Sequence, residues 1–242
     1  MRITRIYNEG KLAAGETVTL STRASHHLVR VLRCRPDSTV TLFNGKGGEF
    51  SATLVNDDPK SARVIINSFN DINRESRLKI CLLQGVSRGE HMDITIQKAT
   101  ELGVTEIIPV LCERSTGLKK NKTGKKLERW HQIAISACEQ SGRNILPVIR
   151  RAMTLADAIN SVTAGTRLVL DPTAAAGIND IGKHSASVCI LAGPEGGLTE
   201  QEISASCDAG YYNAKFGPRV LRTETAGPAF IAAIQTLWGD MG

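Results

Sequence analysis

Ten aromatic side chains in 242 residues (three Tyr, two Trp, five Phe) are few for two hydrophobic cores, so aliphatic residues must fill most of the interior. No apolar run is long enough to span a bilayer. The N-terminal MRITRIYNEG lacks the apolar core of a secretory signal, which leaves the cytoplasm as the expected compartment. The six cysteines contain no CxxC pair and no Cys/His spacing suited to a metal, so they read as scattered reduced thiols, and no metal site is expected. Nucleotide-binding signatures are also missing. GxGxxG does not occur, and the stretch 117–126, GLKKNKTGKK, lacks the glycine spacing of a phosphate loop.

What is present is basic. Thirty Lys and Arg against 24 Asp and Glu give a net charge of +6, and the pI near 9.1 favours a polyanionic partner. The first seventy residues alternate like strands at 18–20, 38–44, 49–55 and 61–69. Turn signals at 45–48 and 56–60 separate them, as in a small antiparallel barrel. One segment, 25–33, has helical spacing with Ser25 available as its cap. The polar stretch 70–77 is the predicted linker, dividing the chain into domains at 1–72 and 73–242. Strands at 78–86, 105–112, 167–171, 188–193 and 211–217 then alternate with helices such as 90–102 and 125–141, which predicts an α/β domain with a parallel sheet.

Two glycine-bearing loops follow strands of that sheet: LAGPEGGLTEQE at 191–202 and FGPRVLRTETA at 216–226. They should share its carboxyl edge, where such folds bind ligands. Gly193, Gly196 and Gly197 permit close backbone approach to a flat ring, and Thr199 with Glu202 matches a capping box. In the second loop, Arg219 and Arg222 can hold an anionic substrate, and Glu224 can serve as an acceptor or base. The structural alternative is a plain turn in the first loop and, in the second, Thr223 or Thr225 as an N-cap with Glu224 an ordinary first-turn acid.

The same residues resemble a known family. Both loops are similar to the signature loops of bacterial 16S ribosomal RNA uridine-1498 N3-methyltransferases. Further matches are RIY at 5–7, HHLVRVLR at 26–33, SRGEHMDITIQKATELGV at 87–104, ERS at 113–115 and ISACEQSGRN at 135–144. The resemblance implies a C-terminal SPOUT-type parallel sheet with a deep trefoil knot built from 170–172, 191–198 and 216–225, plus a small N-terminal PUA-like β-barrel that helps bind RNA. It implies a homodimer acting on 16S ribosomal RNA of the small subunit, with S-adenosylmethionine as cofactor. Carried over residue by residue, the cofactor contacts fall on Leu170, Asp171, Leu191, Gly193, Glu195, Gly196, Leu221, Arg222 and Thr223, some of them through main chain only. Position 171 and the Gly227-Pro228 pair depart from the family pattern.

Methylation at uridine N3 requires loss of the imide proton, which assigns Arg222 to the developing charge on the carbonyls and Glu224 to the proton, directly or through water, with solvent as the alternative acceptor if the arginine makes the imide sufficiently acidic. N3 lies on the pairing edge, so the target must be unpaired or flipped out. Candidate RNA contacts are Arg5, Tyr7, His27, Arg30 and Arg33 in the first domain, then Arg88, Arg114, Lys119, Lys120, Lys122 and Arg143. The lysine-rich stretch is the strongest group, and Tyr7 is as well suited to packing as to stacking. Two rivals remain: another SPOUT activity, such as ribose 2′-O or different base methylation, and a non-catalytic RNA-binding assembly factor.

Overall fold

The computed structural model describes residues 4–116, 123–182 and 185–242. The chain separates into two units. Met1–Glu75 joins Cys138–Leu146 in the first, and Ser76–Ala137 joins Pro147–Gly242 in the second. The break therefore falls three residues beyond the expected position. A segment that sequence spacing assigned wholly to the second domain belongs to the first.

In the first unit, β1 (Arg5–Tyr7), β2 (Thr17–Thr19), β3 (Thr39–Phe43), β4 (Glu49–Asn56) and β5 (Arg63–Asn70) form one sheet in the order β1-β3-β4-β5-β2. The β3-β4-β5 meander is antiparallel as expected, whereas β1 joins β3 in parallel. Strand alternation drives Val40, Leu42, Phe50, Ala52, Leu54, Val64 and Ile66 into one core with Leu28. The expected helix starts earlier and is irregular: α1 (Thr22–His26) runs into a π-helical turn at His27–Val31. Ser21 caps it, accepting from Ala24 N at 3.2 Å. Ser25 is instead fully buried, accepting from Ala62 N at 2.9 Å and donating to Leu20 O at 3.3 Å.

A polar network explains why 138–146 belongs here. The Arg5 guanidinium bonds Glu49 Oε2 at 2.5 Å, Asn144 Oδ1 at 2.5 Å and the Arg143 carbonyl at 3.3 Å. Arg143 pairs with Glu75 at 2.6 Å, and Asn144 Nδ2 donates to the Ile72 carbonyl at 2.9 Å. Arg5 and Arg143, expected to contact RNA, are thus buried struts. A guanidinium tied to buried carboxylates is not offered to phosphate. Tyr7 packs edge-on against Phe43, with ring centroids 5.6 Å apart, in keeping with the packing role.

Burial pushes the Glu49 carboxyl up, but hydrogen bonds and charges from Arg74 and Arg5 outweigh it and hold the group below its ordinary value. Its stabilising contribution is therefore complete above the unfolded-state value and is lost as pH falls through the lower native one. Glu49→Ala leaves Arg5 buried without its carboxylate and is expected to cost about 3–5 kcal/mol at neutral pH. Urea unfolding of Glu49→Gln and the parent from pH 7 down to pH 3 should show the parent's advantage shrinking with acid. A constant gap would contradict this.

The second unit is built on parallel strands: β6 (Lys79–Gly85), β7 (Glu106–Leu111), β8 (Val148–Ile149), β9 (Met153–Thr154), β10 (Thr166–Leu170), β11 (Ser187–Ala192) and β12 (Tyr212–Ala214). Their order is β12-β10-β11-β6-β7-β8, with β9 also on β7. Side chains of alternate residues leave on opposite faces. Ile80, Leu82, Leu168, Val188 and Ile190 meet residues of α2 (Glu90–Glu101), α3 (Thr123–Ser141) and α6 (Thr223–Trp238) in one core. Cys81, Leu83, Val169, Cys189 and Leu191 form another with residues of α4 (Leu155–Ser161), and Ile203 of α5 (Glu200–Asp208) packs against it. Helices on both faces and parallel strands bring the loops after β6, β10, β11 and β12 to a single edge. No helix among the described residues is long and apolar enough to cross a membrane.

Candidate active site

At that edge lies a cavity of about 710 Å³, within the usual range for small-molecule sites. The segments that the resemblance assigned to the knot all reach it. Leu170, Asp171, Gly193, Glu195, Gly196, Leu221, Arg222, Thr223 and Glu224 line its wall. Leu191 does not. It is fully buried in the core beneath the sheet, and Ala192, the next residue and so on the other face, lines the cavity in its place.

Close packing shapes the 193–199 loop. A Cβ on Gly193 would lie 3.0 Å from Leu198 N, and one on Gly85, under the same turn, would lie 2.5 Å from Pro194 N and Cδ. The expected capping box is present: Glu202 N donates to Thr199 Oγ1 at 3.2 Å, and Thr199 N to Glu202 Oε2 at 2.9 Å. Glu195 Oε1 accepts from Arg88 N at 2.7 Å, and Arg114 Nη1 donates to the Gly196 carbonyl at 3.0 Å. Asp171 receives Thr173 N at 2.8 Å, Thr173 Oγ1 at 2.7 Å and Asn213 Nδ2 at 2.9 Å. Burial opposes ionisation of Asp171, but these donors prevail and lower its pKa, so the carboxylate is fixed as an anion.

Helix α6 begins with Arg222 as N-cap in extended conformation, without a side-chain cap bond. Neither threonine caps it. Thr223 is buried, and its hydroxyl donates to the Gly193 carbonyl at 2.8 Å while accepting from Gln84 Nε2 at 3.1 Å. The helix start is therefore stitched to the other glycine loop, which places Arg222 and Glu224 in the cavity wall. Pro228 sits inside α6, where the missing N–H leaves the Glu224 carbonyl without its helical donor. Sequence reasoning missed Gln84, Gly85 and His91. The signal for Gln84 was a lone amide in the apolar strand LKICLLQ. His91 Nδ1 stands 3.0 Å from Glu224 Oε2.

Of the remaining RNA candidates, Arg30, Arg33, Arg88 and Arg114 are exposed and His27 is half-buried. Arg88 Nε also donates to Thr116 Oγ1 at 2.8 Å. Lys119, Lys120 and Lys122 lie outside the described residues.

The RNA methyltransferase domain family matches residues 74–235, and the RNA methyltransferase PUA domain family matches residues 20–67. Ribosomal RNA small subunit methyltransferase E of Buchnera aphidicola subsp. Acyrthosiphon pisum is 34% identical over 243 residues, spanning 99% of this chain and 95% of its own. The chain belongs to the ribosomal RNA small subunit methyltransferase E family. A member from Neisseria gonorrhoeae, solved bound to S-adenosylmethionine, has 40% identity and a TM-score of 0.93 over the whole of both chains. A methyltransferase from Legionella pneumophila with the same bound cofactor has 38% identity and a TM-score of 0.96, covering 99% of this chain and 100% of its own. Family membership accords with the expected fold class, a parallel α/β sheet domain joined to a small PUA-like sheet domain.

Proposed function

We propose that this protein transfers the methyl group of S-adenosylmethionine to N3 of uridine 1498 in 16S ribosomal RNA of the small subunit. The observation that carries the reading is the single cavity in which two glycine loops close on one another with an arginine and a carboxylate at the start of α6. The residues fit the cofactor. Leu170, Ala192, Leu198 and Phe216 supply apolar wall for a purine, Gly193 and Gly196 bring backbone close, and Asp171, Glu195 and Glu200 supply negative charge that suits a sulfonium.

When bound, the cofactor supplies an electrophilic methyl group. The chain's own residues must present uracil N3 in line with it and remove the imide proton. Arg222 bears on the carbonyl oxygens, where charge develops, and Glu224 accepts the proton. Arg30, Arg33 and His27 in the first unit, and Arg88 and Arg114 in the second, are the described cations assigned to RNA. Mass-spectrometric mapping of 16S RNA from cells with and without the protein tests the reading: the N3-methyl mark at that uridine must depend on it. A mark at another base or on a ribose would transfer the assignment to a different RNA methylation.

We also assign a homodimer through the outer side of α6. There Ala229, Ala232 and Ala233 are half-buried and Leu237 is 52% exposed. Small apolar residues on an open helix face allow a second helix to approach closely. Leu237→Arg is expected to convert dimer to monomer in sedimentation velocity, and a parental dimer in that variant would argue against this face.

A further inference from the structure

His91, on the first turn of α2, and Glu224, on the first turn of α6, meet in the cavity wall. Nδ1 and Oε2 are 3.0 Å apart, yet neither atom has a well-aligned hydrogen bond and neither reaches solvent. Two buried polar atoms left facing each other are costly. A proton placed between them removes that cost. Exposure is unequal: the His91 side chain is 40% exposed and that of Glu224 13%. The carboxylate is the inner group, and the imidazole joins it to water.

We infer that His91 completes a proton relay, taking the imide proton from Glu224 at Nδ1 and releasing one to water from Nε2. This rests on the reading of Glu224 as the base. A carboxylate so enclosed would otherwise keep the captured proton inside the cavity, beside the methylated product. The relay balances. The electron pair left on N3 forms the new N–C bond, the C–S bonding pair stays with sulfur, and the proton ends in solvent, so both side chains recover their starting charge. Imidazole suits the outer position because one ring nitrogen can take up a proton while the other gives one up. His91 acts on the substrate only through Glu224, so it is a positioning and relay residue.

Single-turnover methyl transfer to RNA by the full-length protein tests this. His91→Ala and His91→Gln are each expected to slow the step by on the order of tenfold or more, with unchanged S-adenosylmethionine affinity by calorimetry. Added imidazole should restore His91→Ala, which leaves room for it, and not His91→Gln. A purely structural role would not respond to imidazole. Parental rates in both variants, or a slow His91→Ala that imidazole leaves slow, would overturn the relay. Glu224→Gln, run in parallel, separates the two ideas. If it is slow while the His91 variants are fast, only the relay falls; if it transfers at the parental rate, the base assignment falls as well.

Discussion

Glu224→Gln is expected to lower the methyl-transfer rate by on the order of 10²- to 10⁴-fold while S-adenosylmethionine binds as before. Glutamine keeps the shape and an acceptor oxygen but cannot take a proton at neutral pH. The carboxylate lies in the cavity wall one residue after Thr223, which ties the helix start to Gly193. The substitution therefore changes chemistry without releasing that tie. Arg222→Met should act on the same step from the other side, since a charge-free side chain of similar length cannot stabilise an anionic uracil. Pre-steady-state transfer of a labelled methyl group, with cofactor affinity measured separately, reads both effects. Rates for Glu224→Gln that match the parent across pH would return the proton to solvent and leave the arginine as the main contributor.

The second large effect is steric. Gly85→Ala is expected to abolish cofactor binding and to cost about 1–3 kcal/mol or more of stability, as overpacked interiors do. The new methyl carbon would lie 2.5 Å from Pro194 N and Cδ and 2.8 Å from the Gly193 carbonyl carbon. Much of that obstruction is backbone, so no rotamer change relieves it, and the turn that forms one side of the cavity has to move. Gly124→Ala is the matched control. Its added carbon meets nothing within 4 Å and lies in the first turn of a helix, so the exchange should leave stability unchanged or raise it by less than about 1 kcal/mol. Calorimetric titration with S-adenosylmethionine, beside thermal unfolding of both variants, decides the matter. Normal affinity in Gly85→Ala would mean that the turn adapts at little cost.

Much of this was legible in the sequence because it is local. Strand alternation, the Thr199–Glu202 box and the glycine loops each depend on residues a few positions apart, and the structure keeps all three. What escaped depends on long-range partners. Arg5 and Arg143 looked like surface cations until Glu49 and Glu75, 44 and 68 positions away, were seen to hold them. The two-residue period of a strand sends the Leu191 side chain to the opposite face from Ala192, which leaves only its main chain for the contact that its place in the motif implies. Ser25 looked like a cap because it precedes an apolar periodic run, whereas the helix had begun a turn earlier and the hydroxyl was used across the fold by Ala62. His91 falls inside the family-like stretch 87–104, but nothing local singles it out there, since its partner lies on a helix more than a hundred residues later.

The nine residues from Cys138 to Leu146 have a practical meaning for anyone wishing to dissect the molecule. A fragment ending at Glu75 would carry Arg5 and Glu75 but neither Asn144 nor Arg143, the groups that neutralise and orient them. The amino-terminal module is therefore no detachable cassette. Transplanting it onto another catalytic body would require this distant peptide to travel with it, and swaps between relatives should succeed only when both pieces come from the same parent.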